Sequence, residues 1–116
     1  MSLKEADLQK SCVKWFRHQY PNILLHHSPN EGKRSPQYMN WLKTLGTLPG
    51  CPDILIFEGR GKWHGLAIEM KAPGGKLTDN QEWFIQKLRS AGWQCHECRG
   101  IEEFMSIVIK YLLTEI

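Results

Sequence analysis

The segment Leu66-Ala-Ile-Glu-Met-Lys71 constrains the fold more than any other part of the chain, because it alternates apolar and charged side chains. Successive side chains of a β-strand point to opposite faces of the sheet. The large apolar side chains therefore share one face, and Glu69 and Lys71 lie side by side on the other. An acid and a lysine inside a sheet are costly unless they are paired or bind a metal. The pattern predicts an inner strand with a polar site near its end.

Asp53 supplies a second acid for this site. It begins the preceding predicted strand, and the turn Glu58-Gly-Arg-Gly61 favours an antiparallel hairpin between the two strands. In such a hairpin Asp53 lies opposite Glu69 and Lys71, so two carboxylates converge beside a lysine. A magnesium ion typically takes one or two carboxylates, with water and substrate phosphate as its other ligands. The backbone carbonyl of Met70 could complete the protein's share.

Each of these residues also has a simpler interpretation. Asp53 follows Pro52, and a Pro-Asp pair commonly marks only a turn. Glu69 and Lys71 could form the solvated face of an edge strand, where lysine is frequent. The edge-strand alternative is weaker, because further predicted strands flank this one.

The three residues together match the requirements of phosphodiester hydrolysis. The reaction needs its developing negative charge neutralised and its attacking water activated, and a bound metal can do both. Lys71 could orient or deprotonate that water, or stabilise the charge of the transition state.

The remaining pattern predicts one compact α/β domain over residues 1–116, a mixed sheet flanked by helices, with no repeat or linker. We expect helices over 3–19, 37–45, 78–91 and 101–113, strands over 23–27, 53–57, 63–71 and 93–99, and a surface loop over 28–36. Phe84, Ile85, Leu88 and Ala91 form the predicted buried face of the third helix.

Composition is that of an ordinary globular protein, with 41% hydrophobic and 23% charged residues. A formal net charge of +3 is too small to establish a nucleic-acid partner, but it does not oppose one. No apolar stretch is long enough to cross a bilayer, and residues 1–10 lack the apolar region of a secretory signal. We therefore expect a cytoplasmic protein without a membrane partner, in which the cysteines are free thiols.

Cys95-His96-Glu97-Cys98 has the C-x-x-C spacing of zinc and redox sites. A structural zinc site needs four ligands, and the chain has no second paired cluster. Residues three apart on a strand also face opposite sides of the sheet. A zinc-binding regulatory protein is therefore the weaker alternative.

Gly50-Cys-Pro-Asp53 followed by Ile68-Glu-Met-Lys71 resembles the PD-(D/E)XK nuclease motif. The surrounding segments are similar to those of the virus-type replication-repair nuclease (VRR-NUC) family: His27-Ser-Pro-Asn-Glu-Gly32, Leu45-Gly46 before Pro49-Gly50, Glu69-Met-Lys-Ala72, Gly75-Lys-Leu-Thr-Asp-Asn-Gln81 and Ala91-Gly92. The resemblance covers nearly the whole chain, from about Glu5 to Tyr111. Cys51 departs from it, where an apolar residue such as valine is expected.

The resemblance implies a restriction-endonuclease-like fold and an endonuclease that cuts DNA with Mg²⁺, for which Mn²⁺ substitutes. Asp53 and Glu69 would be metal ligands and Lys71 the catalytic lysine. Gln81 would support the site from the following helix, and Glu5 would add an acid from the first helix. Stand-alone relatives tend to be homodimers that act on branched DNA such as four-way (Holliday) junctions. The resemblance also implies the cytoplasm of a bacterial cell or of a phage-infected host.

Gln81 and Glu5 have alternative structural roles. Thr78 and Gln81 have the spacing of a capping box, so Gln81 can be a cap, a site residue or both. Glu5 could only complement the dipole of the first helix. Its spacing to Leu8 and Cys12 nevertheless places it on the inward side of that helix.

The candidate DNA-binding residues are Asn30, Lys33, Arg34, Lys43 and Lys76. Scattered lysines usually serve only solvation, but as phosphate contacts these would give salt-sensitive, sequence-independent binding. An exposed tryptophan, Trp41 or Trp63, could serve a dimer interface or stack on unpaired bases. A DNA-binding scaffold that keeps the fold without cutting remains the alternative function, although such a module would be expected to have lost a catalytic residue.

Overall fold

Strand β3 (Gly65–Met70) lies inside a four-stranded sheet, and the other elements are arranged around it. The computed structural model describes residues 3–29 and 35–116. The other elements within these ranges are α1 (Leu3–Gln19), β1 (Leu25–His27), α2 (Pro36–Thr44), β2 (Ile54–Ile56), α3 (Asp79–Ser90), β4 (Trp93–Cys98) and α4 (Ile101–Leu113). Their order is the predicted one, and the four-stranded mixed sheet with four helices confirms the expected fold class.

The sheet runs in the order β1-β2-β3-β4, with β1, β2 and β3 antiparallel and β4 parallel to β3. Ile54 pairs with Ile68, which confirms the predicted hairpin between β2 and β3. The prediction that the strand now called β3 starts at Trp63 is wrong. Arg60 and Trp63 instead pair with each other across a tight turn, so the strand begins at Gly65.

Both faces of β3 are covered, which explains why all six of its residues are buried. Helices α1 and α4 pack on one face, in a cluster made of Cys12, Phe16, Ile54, Ile56, Leu66, Ile68, Met70, Cys98, Phe104, Val108 and Tyr111. Helix α3 covers the other face through Ile85, which packs with Ala67 and Cys95. Ala91 was predicted to be part of this buried face but is exposed, because it is already the C-cap of α3.

Helix α2 differs from the other helices because none of its residues is buried. The hydroxyl of Ser35 accepts a hydrogen bond from Tyr38 N, so the helix begins at Pro36, one residue earlier than predicted. Only the ends of the predicted loop over 28–36 lie within the described residues. No helix in the described part of the chain has the length and apolar character that crossing a bilayer requires.

Candidate active site

Asp53 and Glu69 lie next to each other where β2 begins and β3 ends. Continuing the pairing of Ile54 with Ile68 by one step places the two acids opposite each other. Both are almost fully buried, with 3% of Asp53 and 2% of Glu69 exposed. The predicted convergence of the two carboxylates is therefore found, while their role as metal ligands stays a prediction.

Pro52 explains why the ladder between β2 and β3 stops at this point. One further step of the register places Met70 opposite Pro52, which has no N–H group to donate to a carbonyl. Oδ2 of Asp53 instead accepts a hydrogen bond from Met70 N at 2.8 Å. The N–H and C=O groups of one strand residue point to the same side, so the carbonyl of Met70 faces the side on which Asp53 lies.

The two oxygens of Glu69 are in different situations. Oε1 accepts a hydrogen bond from Nε2 of Gln81 at 3.2 Å, whereas Oε2 is buried and has no hydrogen-bond partner among the described residues. Burial raises the pKa of Glu69 to about 9, and the charge of the adjacent Asp53 carboxyl group adds to the rise. The charge of Lys71 acts in the opposite direction. Glu69 is thus a buried acid that lacks a sufficient counter-charge.

This donor set fits a magnesium ion better than a zinc ion. Within residues 3–29 and 35–116 no group of three or more His, Cys, Asp and Glu side chains is placed to hold a metal. A structural zinc site needs four such protein ligands, but magnesium usually binds one or two carboxylates and keeps several waters. Asp53 and Glu69, together with the Met70 carbonyl, provide that smaller set of oxygen ligands.

Gln81 has both of the roles considered for it. Its Oε1 accepts a hydrogen bond from Thr78 N at 2.9 Å, and its own N–H donates to Oγ1 of Thr78 at 3.2 Å, which completes the capping box of α3. Its Nε2 remains available for Glu69. The cap therefore orients the Gln81 side chain toward the buried carboxylate.

Gly50 brings the loop that carries Asp53 against the start of α3. Its φ is +89°, and a Cβ atom there would lie 2.5 Å from the backbone carbonyl carbon and oxygen of Asn80. Only glycine allows this approach without displacing the helix. The close contact explains why a glycine is needed three residues before Asp53, and it places α3 where Gln81 can reach Glu69.

Glu5 and Lys71 approach the site from α1 and from the end of β3. Oε1 of Glu5 accepts a hydrogen bond from Ala72 N at 3.2 Å, which confirms the predicted inward position of Glu5. Lys71 is half-buried, and its backbone N–H donates to the Cys98 carbonyl at 2.9 Å. Its charge lowers the pKa of Glu69, so the lysine is within electrostatic range of the carboxylate.

The sequence model of the VRR-NUC domain matches residues 3–102. The chain belongs to the VRR-NUC family. A solved structure described as a VRR_NUC domain protein is 26% identical, with a TM-score of 0.80 and coverage of 99% of this chain and 93% of that one. A second, described as a VRR_NUC domain, is 19% identical, with a TM-score of 0.63 and coverage of 95% and 99%, and shows a shared fold. A comparison with curated proteins found no match.

Membership of the VRR-NUC family makes this chain a member of a nuclease-fold family and confirms the resemblance drawn from the motifs. The matched region contains Glu5, Asp53, Glu69, Lys71 and Gln81, which the fold brings to one end of the sheet. A VRR-NUC domain also implies interaction with DNA.

The sequence did not reveal two residues that hold the backbone of Asp53 in this VRR-NUC domain. Nδ1 of His27 lies 2.9 Å from the carbonyl oxygen of Asp53, and the amide of Gln9 lies 2.9 Å from the same ring nitrogen. His27 is thus half-buried, whereas the neighbouring His26 is exposed. The signal for Gln9 was its position one helical turn after Glu5.

The predicted DNA-binding residues are only partly described. Asn30, Lys33 and Arg34 lie outside the described residues. Lys43 on α2 and Lys76 between β3 and α3 are exposed, and their contacts with DNA stay predictions.

None of the four cysteines, Cys12, Cys51, Cys95 and Cys98, forms a disulfide, as predicted. Cys95 packs under α3, whereas Cys98 belongs to the cluster on the opposite face of the sheet. The two thiols therefore cannot bind one metal ion, which argues against the zinc interpretation of Cys95, His96 and Cys98. Burial also raises the pKa of Cys95 to about 11.

Proposed function

We propose that this VRR-NUC protein is a Mg²⁺-dependent endonuclease that hydrolyses phosphodiester bonds of branched DNA, such as four-way junctions. Mn²⁺ should replace Mg²⁺. The observation that carries the proposal is the environment of Glu69, whose Oε2 is buried without a partner among the described residues, beside a second buried acid, Asp53. Two adjacent carboxylates repel each other when both are ionised, and a divalent cation between them removes that repulsion.

Asp53, Glu69 and the Met70 carbonyl would hold the cation. When bound, the cation would neutralise the charge that develops on the phosphate and lower the pKa of the attacking water. Gln81 keeps Oε1 of Glu69 in place from the start of α3. The hydrogen bond from Met70 N keeps the Asp53 carboxylate in place from the opposite side. Both ligands are thus oriented before the cation binds, which is the usual function of such supporting contacts.

Lys71 lies two positions after Glu69 on the same face of the strand, and its amino group can donate or accept a proton. It follows the last residue of β3 on the same side as Glu69, and it is half-buried at the end of the strand. There it can orient the attacking water, accept its proton, or stabilise the negative charge of the transition state.

The preference for branched DNA depends on a second copy of the chain. A homodimer places two active sites at a fixed separation, which suits a junction with two equivalent strands. An exposed apolar surface that a second copy could cover is formed by Tyr38, Trp41, Leu45 and Leu48 in and after α2, which are 38%, 55%, 65% and 53% exposed. Aromatic residues are enriched at such interfaces.

The test is cleavage of labelled four-way junction, flap, single-stranded and duplex DNA in Mg²⁺, in Mn²⁺ and in EDTA. Wild type should cut in either metal and not in EDTA, with the four-way junction cut fastest. Asp53→Asn, Glu69→Gln and Lys71→Ala should each abolish cutting. Lys110→Ala, which removes an exposed lysine on α4, serves as the control and should cut like wild type.

Two results would count against the proposal. Retention of cutting by all three site variants would show that the catalytic residues are different ones. Binding of DNA by wild type without any metal-dependent cutting would favour the alternative function, a DNA-binding module that keeps the nuclease fold.

A further inference from the structure

We infer that the groove between α1 and β1 binds the sugar-phosphate backbone of DNA beside the active site, an inference that rests on the proposed nuclease function. The groove has a volume of about 530 Å³ and is lined on the α1 side by Lys10, Lys14 and Arg17. All three side chains are exposed, and none forms an ion pair with an acid of the described residues. No acidic residue is among the described residues that line the groove.

The spacing of the three cations matches a nucleic-acid strand. Residues four and then three positions apart lie on one side of a helix, so Lys10, Lys14 and Arg17 form a row. A helix rises about 1.5 Å per residue, which gives the row a length of roughly 10 Å. Successive nucleotides of a B-form strand are about 3.4 Å apart along the axis, so the row extends beside about three of them.

The groove reaches the backbone of the segment that carries Asp53. Val13 and Leu25, both half-buried, form its apolar part, and His27 lines it at the end of β1. Nδ1 of the same histidine contacts the carbonyl oxygen of Asp53. A strand held along α1 would therefore pass next to the backbone of Asp53. This proximity to the proposed nuclease site favours DNA over an acidic protein segment as the occupant.

Gln9, in the wall of the groove, has a polar atom without a partner among the described residues. Only 8% of Gln9 is exposed, and its Oε1 atom accepts no hydrogen bond from these residues. The carbonyl of Asp53 can only accept, so Nδ1 of His27 must carry the proton between them. The amide oxygen of Gln9 then belongs on the side of His27, which leaves its NH₂ group unpartnered in the described part of the chain. An unpartnered N–H donor in the wall of a groove that three cations line suits an anionic occupant.

The test compares two double variants that remove the same charge. Lys10→Gln/Lys14→Gln changes the groove, and Lys87→Gln/Lys110→Gln removes two exposed lysines of α3 and α4. Binding of a labelled four-way junction is measured by fluorescence anisotropy in EDTA, at several salt concentrations. The groove variant should bind about tenfold more weakly, and the slope of log K against log salt should become shallower by about 2. The control variant should match wild type in both.

A second measurement uses only wild type, so it does not depend on the folding of a variant. Lysine acetylation, read by mass spectrometry, should be slower at Lys10 and Lys14 when the junction is bound and unchanged at Lys110. Equal affinity and equal salt slope for the groove variant and wild type would overturn the inference that the groove binds DNA. Acetylation of Lys10 and Lys14 that is not slowed by the junction would overturn it as well. If wild type binds and cuts DNA and the groove variant does so equally well, the groove inference fails and the nuclease proposal stands. A wild type that neither binds nor cuts overturns both.

Discussion

Gln81 links the first turn of α3 to the buried carboxylate of Glu69. Its Nε2 donates to Oε1 of Glu69 at 3.2 Å, while its Oε1 accepts from Thr78 N at 2.9 Å. One amide group thus caps a helix and orients a candidate metal ligand. The two functions can be separated experimentally, because Thr78 takes part only in the first.

Gln81→Ala and Thr78→Ala should have similar stability and different metal binding. Each removes part of the capping box, and loss of a cap typically costs about 1 kcal/mol. Only Gln81→Ala also removes the hydrogen bond to Glu69, and loss of such a supporting contact typically lowers metal affinity or activity by about tenfold or more. Urea unfolding measures stability, and Mn²⁺ titration together with junction cutting measures function. Equal loss of function in the two variants would mean that Gln81 acts only as a cap.

The raised pKa of Glu69 predicts that the metal-free protein loses stability as the pH rises. The pKa of Glu69 is about 9 in the folded protein against an ordinary value of 4.5, so the folded state binds more protons between these pH values. Unfolding then releases protons, and the free energy of unfolding falls across that window. Glu69→Gln cannot ionise and should therefore be more stable than wild type in EDTA at pH 8.

The measurement is urea unfolding in EDTA at several values between pH 5 and pH 9. The advantage of Glu69→Gln over wild type should increase with pH. Glu97→Gln is the matched control, because Glu97 pairs with Glu69 in the neighbouring strand but is exposed. It should not show this increase. An advantage of Glu69→Gln that is the same at pH 5 and pH 9 would contradict a raised pKa.

The sequence alone was sufficient to predict residue positions where local periodicity determines the structure. The alternation within β3 predicted that Glu69 and Lys71 share a face, and the spacing of Thr78 and Gln81 predicted a capping box. The hairpin turn then placed Asp53 opposite Glu69. Each of these inferences depends on residues that are close in the chain or joined by a short connection, where geometry is determined by the strand and helix repeats.

The sequence alone was not sufficient to predict contacts between elements that are distant in the chain. The contact of His27 with the Asp53 carbonyl joins β1 to β2, and the position of Gln9 beside it depends on how α1 packs on the sheet. Periodicity indicates which face of α1 is buried but not which strand it covers. The near-complete burial of Glu69 has the same origin, since its burial depends on the way α3 packs over β3.

Trp41 should contribute to a homodimer if α2 forms the interface. It is 55% exposed on a helix with no buried residue, and burial of a tryptophan at the centre of an interface often contributes more than about 2 kcal/mol. Trp41→Ser should therefore weaken dimerisation by more than about tenfold in sedimentation experiments. Trp83→Ser on α3, where the tryptophan is 48% exposed, is the control and should associate like wild type. A wild type that stays monomeric at high concentration would exclude the homodimer, and equal association of both variants would exclude α2 as its interface.

Gly50 should tolerate no side chain, because the loop before Asp53 contacts the backbone of α3. In Gly50→Ala the new Cβ would lie 2.5 Å from the carbonyl group of Asn80, at a residue whose φ of +89° is itself unfavourable for alanine. Gly74→Ala provides the matched control, since Gly74 has a similar φ of +81°, and a Cβ atom there would have no heavy atom within 4 Å beyond its chain neighbours in the described part of the chain. The control should lose about 1 kcal/mol of unfolding free energy from backbone strain alone, and Gly50→Ala should lose about 3 kcal/mol.

In Gly50→Ala, displacement of α3 should also move Gln81 away from Glu69 and weaken Mn²⁺ binding, whereas Gly74→Ala should keep the wild-type affinity. Equal unfolding free energies and equal Mn²⁺ affinities for the two variants would show that the contact with Asn80 does not position the site.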